Sequence, residues 1–550
     1  MATTKFSGPI VVDPVTRIEG HLKIEVEVKD GIIVDAWSST QLFRGLEMIV
    51  KGRPPEDVHH YVQRACGVCT TTHALTSIRA VENALEFRAP AAAELVRHLI
   101  LSSLIVHDHL VHFYHLHGLD FFDMADALKA DPAAAAKLAS EAAGREIAPG
   151  DMYMVHSRLK KFVDGGQLGW LTNAYFLGGH PAYRLSPEEN LILSANYLEG
   201  LRIQLKLAKA MAIFSGKNPH SQSMHVGGVT CYEAMRPERI QEFRTLYEEC
   251  RAFIVHNFAG DLRILGKRYP EASAYGRTSN YLDFADFHDV ESGQAPFFPS
   301  GVLWGNDLGK LEELDTAEIR EHVARSWYTP GEALHPFDGV TDPVYSGYDK
   351  DGRYSWSKAP RYKGQAMETG PLARRIMAYA RGEKDTVTLL DAWLKECGLE
   401  RKHLFSTMGR TAARMVESVI LVKRMEGWLN DLEDRIKAGP VEIYKEWKVP
   451  AGEVKGVGFC TATRGGLSHW IRIDQGQTAN YQMVVPSTWN LGPRCAEGRI
   501  SPVEESLIGT PVLDAERPVE ILRTVHSFDP CIACAVHVID GRNRHVVKVI

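Results

Sequence analysis

Two Cys-x-x-Cys pairs constrain this chain more than any other feature, because they stand near its opposite ends: Cys66-Gly67-Val68-Cys69 and Cys531-Ile532-Ala533-Cys534. Each pair can present two thiolates to one metal, and a histidine follows each, His73 and His537. A site drawing on both pairs requires a fold of 550 residues that returns its C-terminal end to its N-terminal third. Four sulfur ligands select a soft or borderline metal over Mg²⁺ or Ca²⁺.

Spacing alone leaves three readings open: a structural tetrahedral zinc, an iron–sulfur cluster, and a catalytic nickel or other reactive thiolate centre. Zinc knuckles sit in small local modules, which counts against the first. The flanking residues add charge. Arg64 precedes Cys66 by two positions, Asp529 precedes Cys531 by two, and Arg44-Gly45-Leu46-Glu47 lies just upstream. A purely structural site has little need of such surroundings. Four thiolates already satisfy a tetrahedral metal, so His73 and His537 read as groups that orient the sulfurs or bind another ion.

The remaining five of nine cysteines are isolated (Cys231, Cys250, Cys397, Cys460, Cys495) and read as buried small apolar residues in a chain that folds under reducing conditions. A net charge of −6 with 24% charged residues speaks against a nucleic-acid or anionic-lipid partner. No apolar run approaches the roughly 18 residues of a membrane span. The start, Met1-Ala2-Thr3-Thr4-Lys5, lacks the basic and apolar regions of a secretory signal.

Leu22, Ile24, Val26 and Val28 alternate with polar residues, and Asp30-Gly31 supplies a turn, which predicts a β-hairpin returning through Ile32–Val34. Beyond about residue 54 the pattern turns helical. Ser186-Pro187-Glu188-Glu189 starts a long helix reaching about Phe214. Others are expected at about 89–116, 236–264 and 402–437, and strands return at 456–486. With no repeat and no linker between the cysteine pairs, the chain reads as one α+β unit, mainly α. Long helices form its core, flanked by small sheets from the N- and C-terminal thirds.

Arg44-Gly45-Leu46-Glu47 followed by Gln63-Arg64-Ala65-Cys66-Gly67-Val68-Cys69 resembles the N-terminal signature of nickel–iron hydrogenase large subunits, and Asp529-Pro530-Cys531 through His537 resembles the C-terminal one. Val15–His21, His107-Asp108-His109, Asn173–Pro181 and Arg464–Trp470 resemble the family too, so the likeness covers essentially the whole chain. It is greatest to the periplasmic enzymes of sulfate-reducing bacteria.

The resemblance implies the large-subunit fold and reversible heterolytic cleavage of H₂. Cys66 and Cys531 would be terminal ligands of nickel, and Cys69 and Cys534 would bridge it to an iron carrying carbon monoxide and cyanide. The first proton acceptor would be Cys531 or Arg464, with Glu19 relaying the proton. Asp108 and Asp529 would position Arg464, Ser487 would hydrogen-bond a cyanide, and His73 would donate to a bridging sulfur, that of Cys534. Glu47, the Met483 carbonyl and His537 would hold Mg²⁺, while Val68 and Leu116 would form an apolar gas gate. Thr463 departs from the proline many relatives carry before the arginine, and adds a hydroxyl.

Also implied are an iron–sulfur small subunit that carries the export signal to the periplasm, a cytochrome c3-type electron acceptor, nickel-insertion proteins, and an endopeptidase. The last would cut after His537, dividing the chain into a mature unit 1–537 and a removed extension 538–550. The alternative is a regulatory H₂-sensing subunit with the same centre, whose gate carries bulkier residues. A respiratory NADH–quinone subunit shares the fold but lacks the four cysteines.

Overall fold

The structure is a computed structural model and describes residues 5–166 and 179–532. Its N-terminal sheet is an antiparallel meander of β1 (Gly8–Val12), β2 (Leu22–Lys29) and β3 (Ile32–Thr40). Leu22, Ile24, Val26 and Val28 are buried, as their alternation requires, and Asp30 and Gly31 both take positive φ at the turn (51° and 76°). The return strand is longer than the hairpin motif predicts, running on to Thr40 because Ser38, Ser39 and Thr40 bury their hydroxyls against neighbouring backbone and side chains.

Short helices α1 (Leu46–Ile49) and α2 (Val58–Val62) lead to the first cysteine pair, and α3 (Thr72–Ala84) follows it. Helix α4 (Ala91–Val111) lies in the centre, packed on α5 (Pro187–Ser215) and α8 (Thr407–Ala438); α6 (Pro237–Phe253) and α7 (Ala259–Arg268) complete this layer. The expected start of α5 is a full capping box. Ser186 Oγ accepts from Glu189 N at 3.3 Å, and Glu189 Oε2 accepts from Ser186 N at 2.9 Å. Two expected helices are interrupted: wide π-type turns at His112–His117 and Ile254–Phe258 break the expected 89–116 and 236–264 runs. Such turns re-aim side chains and recur at functional sites.

The C-terminal sheet is a second antiparallel meander: β6 (Val454–Ala462), β7 (Gly465–Asp474) and β8 (Gln477–Val484). Helix α3 lies against it at backbone distance. A Cβ on Gly456 would sit 2.2 Å from the Ala80 carbonyl oxygen, and one on Gly458 2.0 Å from that of Thr76. These two glycines fix the depth at which the helix after Cys69 meets the sheet carrying Arg464. Helices α9 (Pro486–Leu491) and α10 (Val519–Ser527) then bring the chain to Cys531.

Beyond the two expected sheets, further small ones lie mid-chain, among them Asn280–Asp283 with Gly301–Trp304, and Ile319–His322 with Ala359–Tyr362. Strands of four residues carry too little alternation to stand out in sequence. Of the five isolated cysteines, Cys250, Cys460 and Cys495 are buried and Cys231 and Cys397 half-buried. No helix among the described residues is long and apolar enough to cross a membrane.

Candidate metal centre

Cys66 and Cys531, 465 positions apart, meet with their sulfurs 3.3 Å apart. With Cys69 they form a buried trio whose sulfurs all lie within 4.8 Å of one another. That spacing is too long for a disulfide of about 2.05 Å. It suits a shared metal, since Zn–S bonds of about 2.3 Å would place tetrahedral sulfurs about 3.8 Å apart. Cys534 and His537, and most of the Asn173–Pro181 motif, lie outside the described residues.

Each sulfur is placed by its backbone. Cys66 Sγ accepts from Val68 N at 3.3 Å and Cys69 N at 3.1 Å, an arrangement that favours the thiolate form. The turn before it is pinned by Arg44, whose guanidinium donates to the Ala65 carbonyl at 3.1 Å and to that of Arg64. Arg64 itself is exposed. The segment around Cys531 is stitched to the N-terminal loop. Ile532 N donates to the Glu19 carbonyl at 2.8 Å and Glu19 N to that of Pro530 at 3.4 Å, a parallel bridge that pairs Glu19 with Cys531. Asp529 precedes this bridge with φ 55°, a strained conformation for a non-glycine residue, and turns the chain sharply after α10.

The expected polar residues surround the trio. Cys531 Sγ donates to Glu19 Oε2 at 3.3 Å. Ser487, in the first turn of α9, accepts from Cys531 N at 3.1 Å, which leaves its own hydroxyl proton for another acceptor. Arg464 sits on the two-residue tip joining β6 to β7. It donates to Asp529 Oδ1 at 3.0 Å and to Thr463 Oγ1 at 3.1 Å, and lies 3.6 Å from Asp108 Oδ2. The Thr463 hydroxyl donates on to Asp108 at 3.3 Å, so the residue that departs from proline builds a bridge between the arginine and Asp108. Burial works against the Arg464 cation, but Asp529, the Cys531 and Cys69 sulfurs and Asp108 outweigh it and hold the guanidinium firmly protonated. Burial raises the Asp529 carboxyl, opposed by Arg464 and by Arg414, which itself drops to about 10 through burial.

His73 is fully buried and neutral, burial pulling it down to about 4. Its Nδ1 shares a 3.0 Å hydrogen bond with His469 Nε2, and His469 Nδ1 one of 2.6 Å with the Tyr481 hydroxyl. The sequence motif contained His469, but only the sheet shows that it orients His73. Glu47 sits elsewhere: Oε1 accepts from Met483 N at 2.8 Å, and Oε2 meets the Thr341 hydroxyl and the Lys358 ammonium, the latter at 3.2 Å. Lys358, which nothing in the sequence flagged, thus already supplies Glu47 with a cation.

Cys69, His73, Ala462, Thr463, Arg464, Leu467, Pro486, Ser487 and Cys531 line a cavity with room for about one water-sized group. Into this polar and apolar lining Arg464 brings a buried Nε with no hydrogen-bond partner among the described residues. Three soft donors, an orphaned donor and an available hydroxyl therefore fit a thiolate-bound metal that carries small acceptor ligands.

The comparisons with known proteins agree with this chemistry. The family described as Nickel-dependent hydrogenase matches residues 44–537. The chain belongs to that family. A second match, described as HoxL-like, covers residues 9–36. Among curated hydrogenase chains, the "Quinone-reactive Ni/Fe-hydrogenase large chain" of Wolinella succinogenes is 42% identical over 98% of this chain and 97% of its own. The "Hydrogenase-2 large chain" of Escherichia coli is 40% identical over 99% of each. Among solved structures, the Ni-Fe-Se hydrogenase of D. vulgaris Hildenborough superposes with a TM-score of 0.80 at 32% identity, over 97% of this chain and 100% of that one. The hydrogenase large-subunit fold and a nickel–iron centre for H₂ oxidation follow from this membership.

Proposed function

We propose that this hydrogenase chain cleaves H₂ heterolytically and reversibly, with Cys66 and Cys531 as terminal nickel ligands and Cys69 and Cys534 bridging to iron. When bound, the centre would supply a redox-active open position able to polarise H₂, with carbon monoxide and cyanide on its iron. The observation that carries the reading is the Cys531–Glu19 contact at 3.3 Å inside a buried trio of sulfurs. A structural metal has no use for a carboxylate poised on one of its ligands; a proton-releasing one does.

Of the two candidate first acceptors, the geometry favours Cys531. Arg464 is locked as a cation between Asp529 and the Thr463–Asp108 bridge, so it donates hydrogen bonds and does not accept a proton. Cys531 hands the proton to Glu19. Ser487 and the Arg464 Nε are the donors available to iron-bound cyanide. His73, neutral and oriented by His469, is the donor for the bridging sulfur of Cys534. Mg²⁺ at Glu47, the Met483 carbonyl and His537 would have to share Glu47 with Lys358.

Electrons leave through an iron–sulfur small subunit, because no further cysteine cluster exists among the described residues. A cytochrome c3-type acceptor in the periplasm is the first reading. The 42% identity to a quinone-reactive chain supports a quinone-linked acceptor as a second. Likeness to chains named uptake hydrogenase large subunit favours an enzyme over an H₂ sensor. Nickel-insertion proteins load the unit 1–537, and an endopeptidase then removes 538–550, freeing His537 to bind the ion.

Nickel per mole in Cys66→Ala, Cys69→Ala, Cys531→Ala and Cys534→Ala variants tests the ligand set. Each is expected to lose the metal; full occupancy in any of them overturns the assignment.

A further inference from the structure

A second cluster of metal-ligating side chains lies outside the thiolate centre. His59 and His60 come from α2, and His225 ends the strand β4 (Met224–His225), which pairs with β5 (Gly228–Val229). One ring nitrogen of each lies within 4.8 Å of those of the other two. The His59 and His60 rings are 4.0 Å apart between centroids, and His225 stands edge-on to both, at 5.4 and 5.7 Å.

His59 is only 2% exposed, yet neither of its ring nitrogens has a hydrogen-bond partner among the described residues. The Glu56 backbone approaches the His59 ring but lies outside hydrogen-bond geometry. A buried imidazole without partners costs free energy that a bound ion would recover.

His225 is held in the form a ligand needs. Its Nε2 meets the Gln222 carbonyl at 3.1 Å, and a carbonyl only accepts, so the neutral ring keeps its lone pair on Nδ1. Metal-bound histidines are oriented in this way by their other nitrogen. The His225 carbonyl accepts from Arg97 at 2.9 Å, and Arg97 is itself buried in a paired contact with Glu82 at 2.8 and 2.9 Å. The hairpin beyond cannot retreat: a Cβ on Gly228 would lie 2.2 Å from the Ile443 carbonyl oxygen.

We propose that His59, His60 and His225 form a three-histidine site for a borderline divalent transition-metal ion of the zinc or nickel class. Imidazole suits these ions, and metal–nitrogen bonds of about 2.0–2.1 Å put tetrahedral nitrogens about 3.4 Å apart, which small ring rotations reach. His60 is exposed, so water takes the fourth position. The ion would tie α2, which ends four residues before Cys66, to the β4–β5 hairpin and brace the approach to the first cysteine pair.

Zinc titration of the purified full chain tests this, with the zinc environment read by X-ray absorption. Wild type is expected to bind one Zn²⁺ with a nitrogen and oxygen shell, distinct from any sulfur-bound metal. His60→Ala, at an exposed position that leaves folding intact, is expected to weaken that Zn²⁺ by about tenfold or more. His225→Ala is expected to act alike. Zinc seen on sulfur alone, no zinc uptake, or an affinity unchanged in both variants would overturn the site.

Discussion

Glu19 and Cys531 meet twice, through a parallel backbone bridge and through a 3.3 Å contact between carboxylate and thiol. The backbone bridge sets the register, so the carboxylate cannot drift from the sulfur without unpairing the chain end. Glu19→Gln keeps the shape and removes the ionisable group. H₂ oxidation and H/D exchange are expected to fall by about 10²–10⁴-fold with unchanged metal content, read by gas-exchange mass spectrometry. Turnover near wild type would remove Glu19 from the path.

Arg464→Lys keeps a positive charge but loses the orphaned Nε and the two-armed grip on Asp529 and Thr463. Turnover is expected to drop by about 10²–10³-fold, the usual loss for one preorganised donor, while nickel stays bound. Activity within a few-fold of wild type would show that a point charge suffices.

Thr463→Val deletes the hydroxyl joining Arg464 to Asp108 and leaves the backbone tip intact. Loss of these buried hydrogen bonds is expected to cost about 1–3 kcal/mol of stability, seen as a lower thermal midpoint, with reduced turnover. A proline there fixes the backbone without the bridge. If it matched wild type in both, the bridge would be dispensable.

Asp261 makes a prediction about pH. It lies buried on α7, accepting from the Tyr114 hydroxyl at 2.6 Å and from Asn196 at 2.9 Å, and burial raises its carboxyl from an ordinary 3.8 to about 7 against those two hydrogen bonds. Between these values the folded chain holds a proton that the unfolded chain has released, so stability falls as pH rises through this window. Thermal midpoints from pH 4 to 7 are expected to show that component in wild type and to lose it in Asp261→Asn. An unchanged slope in the variant would contradict it.

What the sequence disclosed was local or written in strong motifs. Ser186 and Glu189 cap their helix three residues apart, and Asp30-Gly31 turns its hairpin between adjacent strands. Cys66, Cys69, Cys531, Glu19 and Arg464 were legible because their motifs resemble a family. Illegible were partners that only tertiary folding brings together: His469 behind His73, Lys358 on Glu47, Arg414 behind Asp529, and His225 beside His59. The Thr463 hydroxyl was visible as a departure, yet its bridge to Asp108, 355 residues away, is set by α4 meeting the tip of β6 and β7. The short strands between Asn280 and Tyr362 gave no period long enough to read.

Infrared spectroscopy of the purified protein with its small subunit tests the central claim most directly. Sharp stretches of metal-bound carbon monoxide and cyanide are expected, with the cyanide bands shifted in Ser487→Ala and Arg464→Lys as their donors are lost. A protein without those stretches, carrying one zinc on its cysteines, would contradict the account.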